Sequence, residues 1–316
     1  MAKKISIVTP FFNEEDVICA YFKELLPVLC KLEHFTYEIV CVDDGSTDKT
    51  FELLEKEHQQ HNAIQVIKLA RNFGKEAALT AGLDYATGDV VIPMDGDLQH
   101  PPELIPEMLK AWENLNVNAV LMKRKARKES LVKKLTAKVF YAIINRLSKS
   151  YIPSDVGDFR LLDRKIVNAI KQLREKNRFM KGLLSWPGFS FTVMYYNQTE
   201  RKLGKAKQNY KRLFSLAFNG IFSFSTVPLQ LWSIIGFVIS GISFFHGIQI
   251  VYKKLVHGID LAGYPSLMVG MLFLNGLIMI SIGILGEYIG RIYDEVKNRP
   301  IYVIDELLGK ERSADE

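Results

Sequence analysis

The chain has 316 residues, of which 48% are hydrophobic and 24% charged, and it carries a formal net charge of +6. That is enough apolar sequence to fill one domain core and leave a surplus, which argues against a purely soluble single domain. Cys19, Cys30 and Cys41 are odd in number and lack metal-type spacing, so they read as reduced thiols in the core of a cytosolic domain.

From Met1 to Pro10 two lysines lead into a short β-like run, not a long apolar stretch with a small-residue cleavage site, and no signal peptide is expected. Between Ile5 and Arg124, β-branched runs alternate with amphipathic stretches, which predicts an α/β fold with a mainly parallel sheet flanked by helices. The predicted strands are Ile5 to Thr9, Tyr37 to Asp43, Ile64 to Leu69, Asp89 to Asp95 and Ala119 to Lys123. The predicted helices are Glu14 to Leu32, Asp48 to His58, Gly74 to Thr87 and Pro102 to Leu115, the last opened by prolines that suit a first helical turn.

Beyond the last of these strands, Leu131, Leu135, Val139, Ile143 and Leu147 recur every fourth residue with lysines opposite, predicting an amphipathic helix at about 130–149. Tyr210, Leu213, Phe214, Ala217, Phe218, Ile221 and Phe222 repeat the design as a juxtamembrane helix lying at a bilayer interface. Leu229 to Tyr252 and Tyr264 to Ile282 contain no Asp, Glu, Lys or Arg and are each at or near the span of a bilayer core, so two transmembrane helices are expected. Basic residues crowd the approach to the first span and return after the second as Arg291, Lys297 and Arg299, so the α/β domain and both termini are expected in the cytoplasm. The expected division is a catalytic domain over 1–206, the juxtamembrane helix over 207–227, the spans over 228–293 and a C-terminal arm over 294–316.

In an open α/β sheet, ligands bind beyond the carboxyl ends of the strands. Acidic groups recur there: Glu14 follows the first predicted strand together with Pro10 and Asn13, Asp43 and Asp44 end the second, and Asp95 and Asp97 end the fourth. Asp95, Asp97 and Gln99 offer hard oxygen ligands around a flexible Gly96, a donor set suited to Mg²⁺ or Mn²⁺ bridging a diphosphate. The chain has no G-x-G-x-x-G after its first strand and no P-loop, which disfavours dinucleotide dehydrogenases and P-loop NTPases. The basic clusters beside apolar spans favour a lipid surface over nucleic acid, and no nucleic-acid partner is expected.

Three runs carry a family resemblance: SIVTPFFNEE from Ser6, VDDGSTD from Val42 and MDGDLQHPPE from Met94. They resemble glycosyltransferase family 2, and within it the polyprenyl-phosphate glycosyltransferases of the bactoprenol glucosyltransferase and dolichyl-phosphate mannose synthase type. The likeness extends through ARNFGK at Ala70, GDFRL at Gly157, RKLGKAK at Arg201 and GEYIGR at Gly286, and the paired spans favour the bactoprenol type. The resemblance implies a GT-A fold and an inverting, metal-dependent transfer of a hexose, glucose first, from a UDP-sugar to polyprenyl (undecaprenyl) phosphate. It implies that Pro10, Asn13, Glu14, Asp43, Asp44, Arg71, Lys75 and Asp95 surround the nucleotide sugar and that Asp95, Asp97 and Gln99 meet the metal. By the same likeness Arg160, Arg201, Lys205 and Lys207 meet phosphate or lipid, and Asp158 takes the position of a catalytic base.

An acceptor phosphate is already largely ionised near neutral pH, so Asp158 has two readings, proton removal or positioning of the acceptor. Two rival functions share the fold: a sugar nucleotidyltransferase, and a non-catalytic membrane scaffold or lipid-transport subunit. A processive polysaccharide synthase is disfavoured by the absence of its Q-x-x-R-W run. The run Arg299 to Ile304 reads as a strand able to pair with a neighbouring subunit, so a homo-oligomer, a tetramer among the options, is expected.

Overall fold

Short β-branched runs and helices alternate through the first 124 residues as β1 (Lys3–Phe11), α1 (Ile18–Cys30), β2 (Phe35–Asp43), α2 (Thr50–Gln60), β3 (Ile64–Leu69), α3 (Lys75–Tyr85), β4 (Val90–Pro93), α4 (Ile105–Leu115) and β5 (Ala119–Arg124). There follow β6 (Val156–Asp163), α5 (Arg164–Gln172), α6 (Met180–Leu183), β7 (Phe191–Tyr196), α7 (Val227–His257), α8 (Tyr264–Val296) and β8 (Ile304–Leu308). The structure, a computed structural model, describes residues 2–124, 156–176, 178, 180–184, 186–197, 227–257 and 263–309. The expected amphipathic helix at about 130–149 lies outside the described residues, as do the expected juxtamembrane helix over 207–227 up to residue 226 and Arg201, Lys205 and Lys207.

The eight strands form one sheet in the order β7-β5-β6-β4-β1-β2-β3-β8. It is mainly parallel, as expected, with β6 antiparallel to both β4 and β5 and β8 antiparallel to β3. Alternate residues of the central strands feed two cores. Ile5, Ile7, Ile39, Cys41 and Ile92 pack toward α1, α2 and α4, whereas Val8, Val40, Val42 and Val91 pack toward α3 and α5. With both faces covered, these strands read as continuous apolar runs, and that is why they were recognisable in the sequence.

Three expectations are corrected. Only Cys41 is buried, and Cys19 and Cys30 are exposed on α1. Helix α1 starts at Ile18 rather than Glu14, because Asn13 takes a left-handed φ of 50° and a turn closes from Val17 N to Glu14 O before the helix begins. The arm after Arg299 forms its strand at Ile304–Leu308 and pairs within its own chain, Val66 to Leu308 through Leu69 to Ile304. It thereby covers an edge strand that would otherwise present unpaired backbone groups.

The chain forms two compact units, Met1–Ser215 with Pro300–Glu316 and Leu216–Arg299, so the arm's last residues belong to the first unit. The second contains α7 and α8, which include apolar stretches Leu229–Ile250 and Leu267–Val296, long and apolar enough to cross a membrane. Helix α8 continues 14 residues past the expected end of the span at Ile282, and its extension is closed by an i,i+4 pair, Arg291 to Glu287 at 2.8 Å.

Candidate active site

The chain runs outward from β1 through β2 to β3, then crosses back to place β4 on the other side of β1. Such a reversal opens a crevice at the carboxyl ends of the central strands. The loops after β1, β2, β3 and β4 all emerge there. Because β6 is antiparallel to β4, its beginning, with Gly157 and Asp158, reaches the same edge.

Pro10 costs this edge nothing. Val8 O accepts from Met94 N, so alternate residues of β1 address β4, and the missing N–H of Pro10 falls past the end of β4 at Pro93. The β1 and β2 loops are interlocked: Asn13 Oδ1 accepts from Thr47 N at 2.9 Å, Ser46 Oγ accepts from Asn13 N at 3.0 Å, and Thr50 Oγ1 accepts from Glu14 N at 2.9 Å. Asp43 is buried and accepts from Ser46 N, and burial pushes its carboxyl above the ordinary 3.8.

Asp44 is also buried and also raised by burial, but both of its oxygens are engaged, with Phe73 N at 2.7 Å and Gly74 N at 2.9 Å. It clamps the loop entering α3. Gly45 lies beneath that loop with φ +65°, where a Cβ would sit 2.4 Å from the Arg71 carbonyl carbon. Only glycine tolerates both the conformation and the approach. Arg71 itself is exposed, its guanidinium 4.4 Å from the centre of the Phe73 ring.

After β4 the chain turns tightly. Gly96 is packed so close to Phe11 that a Cβ would stand 2.4 Å from the ring, and Leu98 adopts a φ of 58° that is unusual for a branched side chain. Asp97 Oδ1 accepts from Gln99 N at 3.1 Å, closing the turn that presents Asp95, Asp97 and Gln99 together. Lys75, the first residue of α3, then ties this turn to β6: its Nζ lies 2.6 Å from Asp95 Oδ1 and 2.6 Å from Asp158 Oδ2. Burial pulls its ammonium pKa down, but the two carboxylates outweigh this and hold it above the ordinary lysine value.

Among the described residues no group of three or more His, Cys, Asp or Glu side chains converges as a metal cage. A Mg²⁺ or Mn²⁺ bound with a diphosphate needs only one or two carboxylates, with waters and phosphates completing the shell, so Asp95, Asp97 and Gln99 fit that chemistry. Arg160 is buried at 3% exposure, and its guanidinium donates to Gly157 O at 2.5 Å. It sits on the face of β6 that Asp158 also uses.

Two residues escaped the sequence reading. His100 is 1% exposed, its Nδ1 accepts from Asp95 N at 3.2 Å, and its ring stacks on Phe159 with centroids 5.0 Å apart. Burial lowers its pKa, and the buried Nε2 has no hydrogen-bond partner among the described residues. It fastens the Asp95 turn to the strand that carries Asp158. Arg124, counted only within a basic cluster, ends β5 at this edge and donates from Nε to the Tyr196 hydroxyl at 3.3 Å. A histidine directly after the DGDLQ turn and an arginine just past a predicted strand were the available signals.

The sheet reversal, the interlocked loops and the acidic turn after β4 define a GT-A glycosyltransferase. The chain belongs to glycosyl transferase family 2, whose sequence profile matches residues 6–171. It is 48% identical over 312 residues to an uncharacterized glycosyltransferase of Synechocystis, with 98% of each chain covered. It is also 46% identical over 302 residues to the SfII prophage-derived bactoprenol glucosyl transferase of Shigella flexneri, covering 95% of this chain and 97% of that one. A prophage bactoprenol glucosyl transferase homolog of Escherichia coli is 44% identical, covering 95% and 98%. Among solved structures, glucosyl-3-phosphoglycerate synthase from Mycobacterium tuberculosis, in complex with phosphoglyceric acid, aligns at a TM-score of 0.47 and 20% identity, over 70% of this chain and 79% of that one.

Proposed function

We propose that this glycosyltransferase moves glucose from UDP-glucose to an undecaprenyl-type polyprenyl phosphate at the cytoplasmic face of a membrane, with inversion at the sugar. The relatives named bactoprenol glucosyl transferase, alike over 95% of this chain, support the acceptor and the sugar. Helices α7 and α8, apolar for a bilayer's thickness, support the anchor. The observation that carries the reading is the meeting of Asp95, from the turn after β4, and Asp158, from β6, on one lysine at the crevice edge.

Asp43 and the interlocked β1 and β2 loops form the nucleoside end of the site, with Asp44 shaping it through the Phe73–Gly74 backbone. A divalent cation held by Asp95, Asp97 and Gln99 would neutralise charge on the leaving diphosphate. An oxygen of the acceptor phosphate attacks the anomeric carbon, the bond from that carbon to the diphosphate oxygen breaks, and its electron pair leaves with UDP. No proton has to move, because the attacking phosphate is already ionised. Asp158, held by Lys75, therefore positions the acceptor side of the site.

Purified full-length protein incubated with short polyprenyl phosphate and a panel of nucleotide sugars tests this. A polyprenyl-phosphate hexose formed from UDP-glucose, with inverted configuration by NMR, is expected. Synthesis of a nucleotide sugar from a nucleoside triphosphate, or no lipid product from any donor, would replace the reading with a nucleotidyltransferase or a scaffold.

A further inference from the structure

Lys75 is placed between two carboxylates that the proposed chemistry needs apart. Its Nζ is equidistant, at 2.6 Å, from Asp95 Oδ1 and Asp158 Oδ2. The two acids are the more enclosed partners, with side chains 26% and 21% exposed, while the lysine side chain is 44% exposed. They are also the more firmly mounted. Asp95 follows β4 with its N–H fixed on His100, and Asp158 lies within β6, whereas Lys75 is a flexible four-carbon stem at the first residue of α3.

Asp95, Asp97 and Asp158 carry three formal negative charges at the proposed site of a divalent cation, and Lys75 spans two of them. We propose that Lys75 is an internal stand-in for that cation: it occupies Asp95 when the site is empty and must yield it when a metal arrives with the donor. The inference rests on the metal reading given under the proposed function. Holding Asp95 and Asp158 by one ammonium keeps both acids in place. It also makes bare metal a poor ligand, because the cation must displace Lys75 unaided. A metal arriving with a diphosphate offers the displaced ammonium new phosphate oxygens to pair with, so binding of the two is cooperative.

The experiment is titration of full-length protein in nanodiscs with Mn²⁺ alone, following free Mn²⁺ by electron paramagnetic resonance. The set is wild type, Lys75→Met, Lys75→Gln, Lys75→Arg and Asp97→Asn. Removing one positive charge a few ångströms from a divalent site in a half-exposed crevice should tighten Mn²⁺ binding about tenfold. Both neutral variants should show it. Lys75→Gln keeps a donor for the carboxylates, which maintains the result if Lys75→Met fails to fold. Lys75→Arg should stay within about twofold of wild type, and adding UDP should narrow the gap between wild type and the neutral variants. Binding by the neutral variants that is equal to or weaker than wild type would overturn the inference and make Lys75 a scaffold only. If wild type binds Mn²⁺ and Asp97→Asn does not, that failure concerns Lys75 alone. If wild type binds no Mn²⁺ that Asp97→Asn lacks, with or without UDP, the metal reading falls and takes the inference with it.

Discussion

Lys75 and Asp158 are 83 positions apart in the chain and meet at 2.6 Å, one from the start of α3 and the other from the start of β6. That contact makes Asp158 a fixed anion. Replacing it with asparagine removes the charge and keeps the shape, and if Asp158 positions the acceptor, the acceptor KM should rise about 10-fold or more while the donor KM stays put. A kcat loss of about 100-fold or more with unchanged acceptor KM, reversed at higher pH, would instead make it a proton acceptor. Steady-state kinetics with short polyprenyl phosphate at two pH values separates the two.

Asp97→Asn should abolish transfer without unfolding the protein. Asparagine retains an Oδ1 that can accept from Gln99 N, so the turn at Leu98 is preserved while a charged oxygen ligand is lost. Circular dichroism should be unchanged, and activity should fall at least about 100-fold. Full activity in the variant, or undiminished wild-type activity in excess chelator, would remove the metal assignment.

His100→Ala should weaken donor binding by loosening the Asp95 turn. The substitution leaves Asp95 N without its acceptor and Phe159 without its stacked ring, together a loss of about 1–3 kcal/mol in stability. His100→Asn places an oxygen near the position of Nδ1 and should recover part of the donor affinity. Equal donor KM values for wild type and both variants would reduce His100 to a packing residue.

The parts of this fold that were legible share a cause. Strands β1, β2 and β3 are buried on both faces, so Ile5, Ile7, Val40 and Ile67 sit in continuous apolar runs, and the acids just beyond them mark a ligand edge. Strand β6 hid because Asp158 and Arg160 interrupt its apolar pattern, and the rule of looking after a strand overlooks a reversed one whose beginning faces the site. Strand β7 is not among the predicted strands, although Thr192, Val193 and Tyr195 are ordinary β-formers, because its place at the sheet edge beside β5 leaves it without the continuous apolar run of the central strands. Strand β8 was misplaced by several residues because Asp305 and Glu306 make an edge strand look like a polar tail, when they are there to pair with Lys68. His100 was readable as a residue of the motif, but its hold on the Asp95 backbone depends on a turn that only the folded chain shows.

At the opposite edge of the sheet, Glu38 should set the acid stability of the domain. It is 2% exposed and accepts from Ser6 Oγ, from Thr87 N at 2.6 Å and from Lys4 Nζ. Burial alone would raise its pKa, but the Lys4, Ser6 and Thr87 donors prevail and hold it below the ordinary 4.5. Its contribution is therefore complete above pH 4.5 and is lost as pH falls through the lower folded value. Glu38→Gln should flatten the pH dependence of the melting temperature in that acidic window and destabilise the protein by about 3 kcal/mol at pH 7. Parallel melting curves for the two proteins across that range would show that Glu38 does not carry the effect.

The arm that returns after α8 should contribute stability through Asp84. This carboxylate, at the far end of α3 from Lys75, accepts from Arg174 at 2.7 and 3.0 Å and from the Tyr302 hydroxyl at 2.8 Å. Its side chain is 2% exposed, so removing it leaves Arg174 and Tyr302 without their shared acceptor, while removing the hydroxyl alone leaves the bidentate pair intact. Tyr302→Phe should therefore cost about 1 kcal/mol and Asp84→Ala about 3 kcal/mol. The double variant should cost little more than Asp84→Ala, because the hydroxyl has nothing left to bind. Urea melts of the four proteins close this cycle. Additive losses would mean that Tyr302 holds the arm through its ring and through the β8 pairing rather than through Asp84.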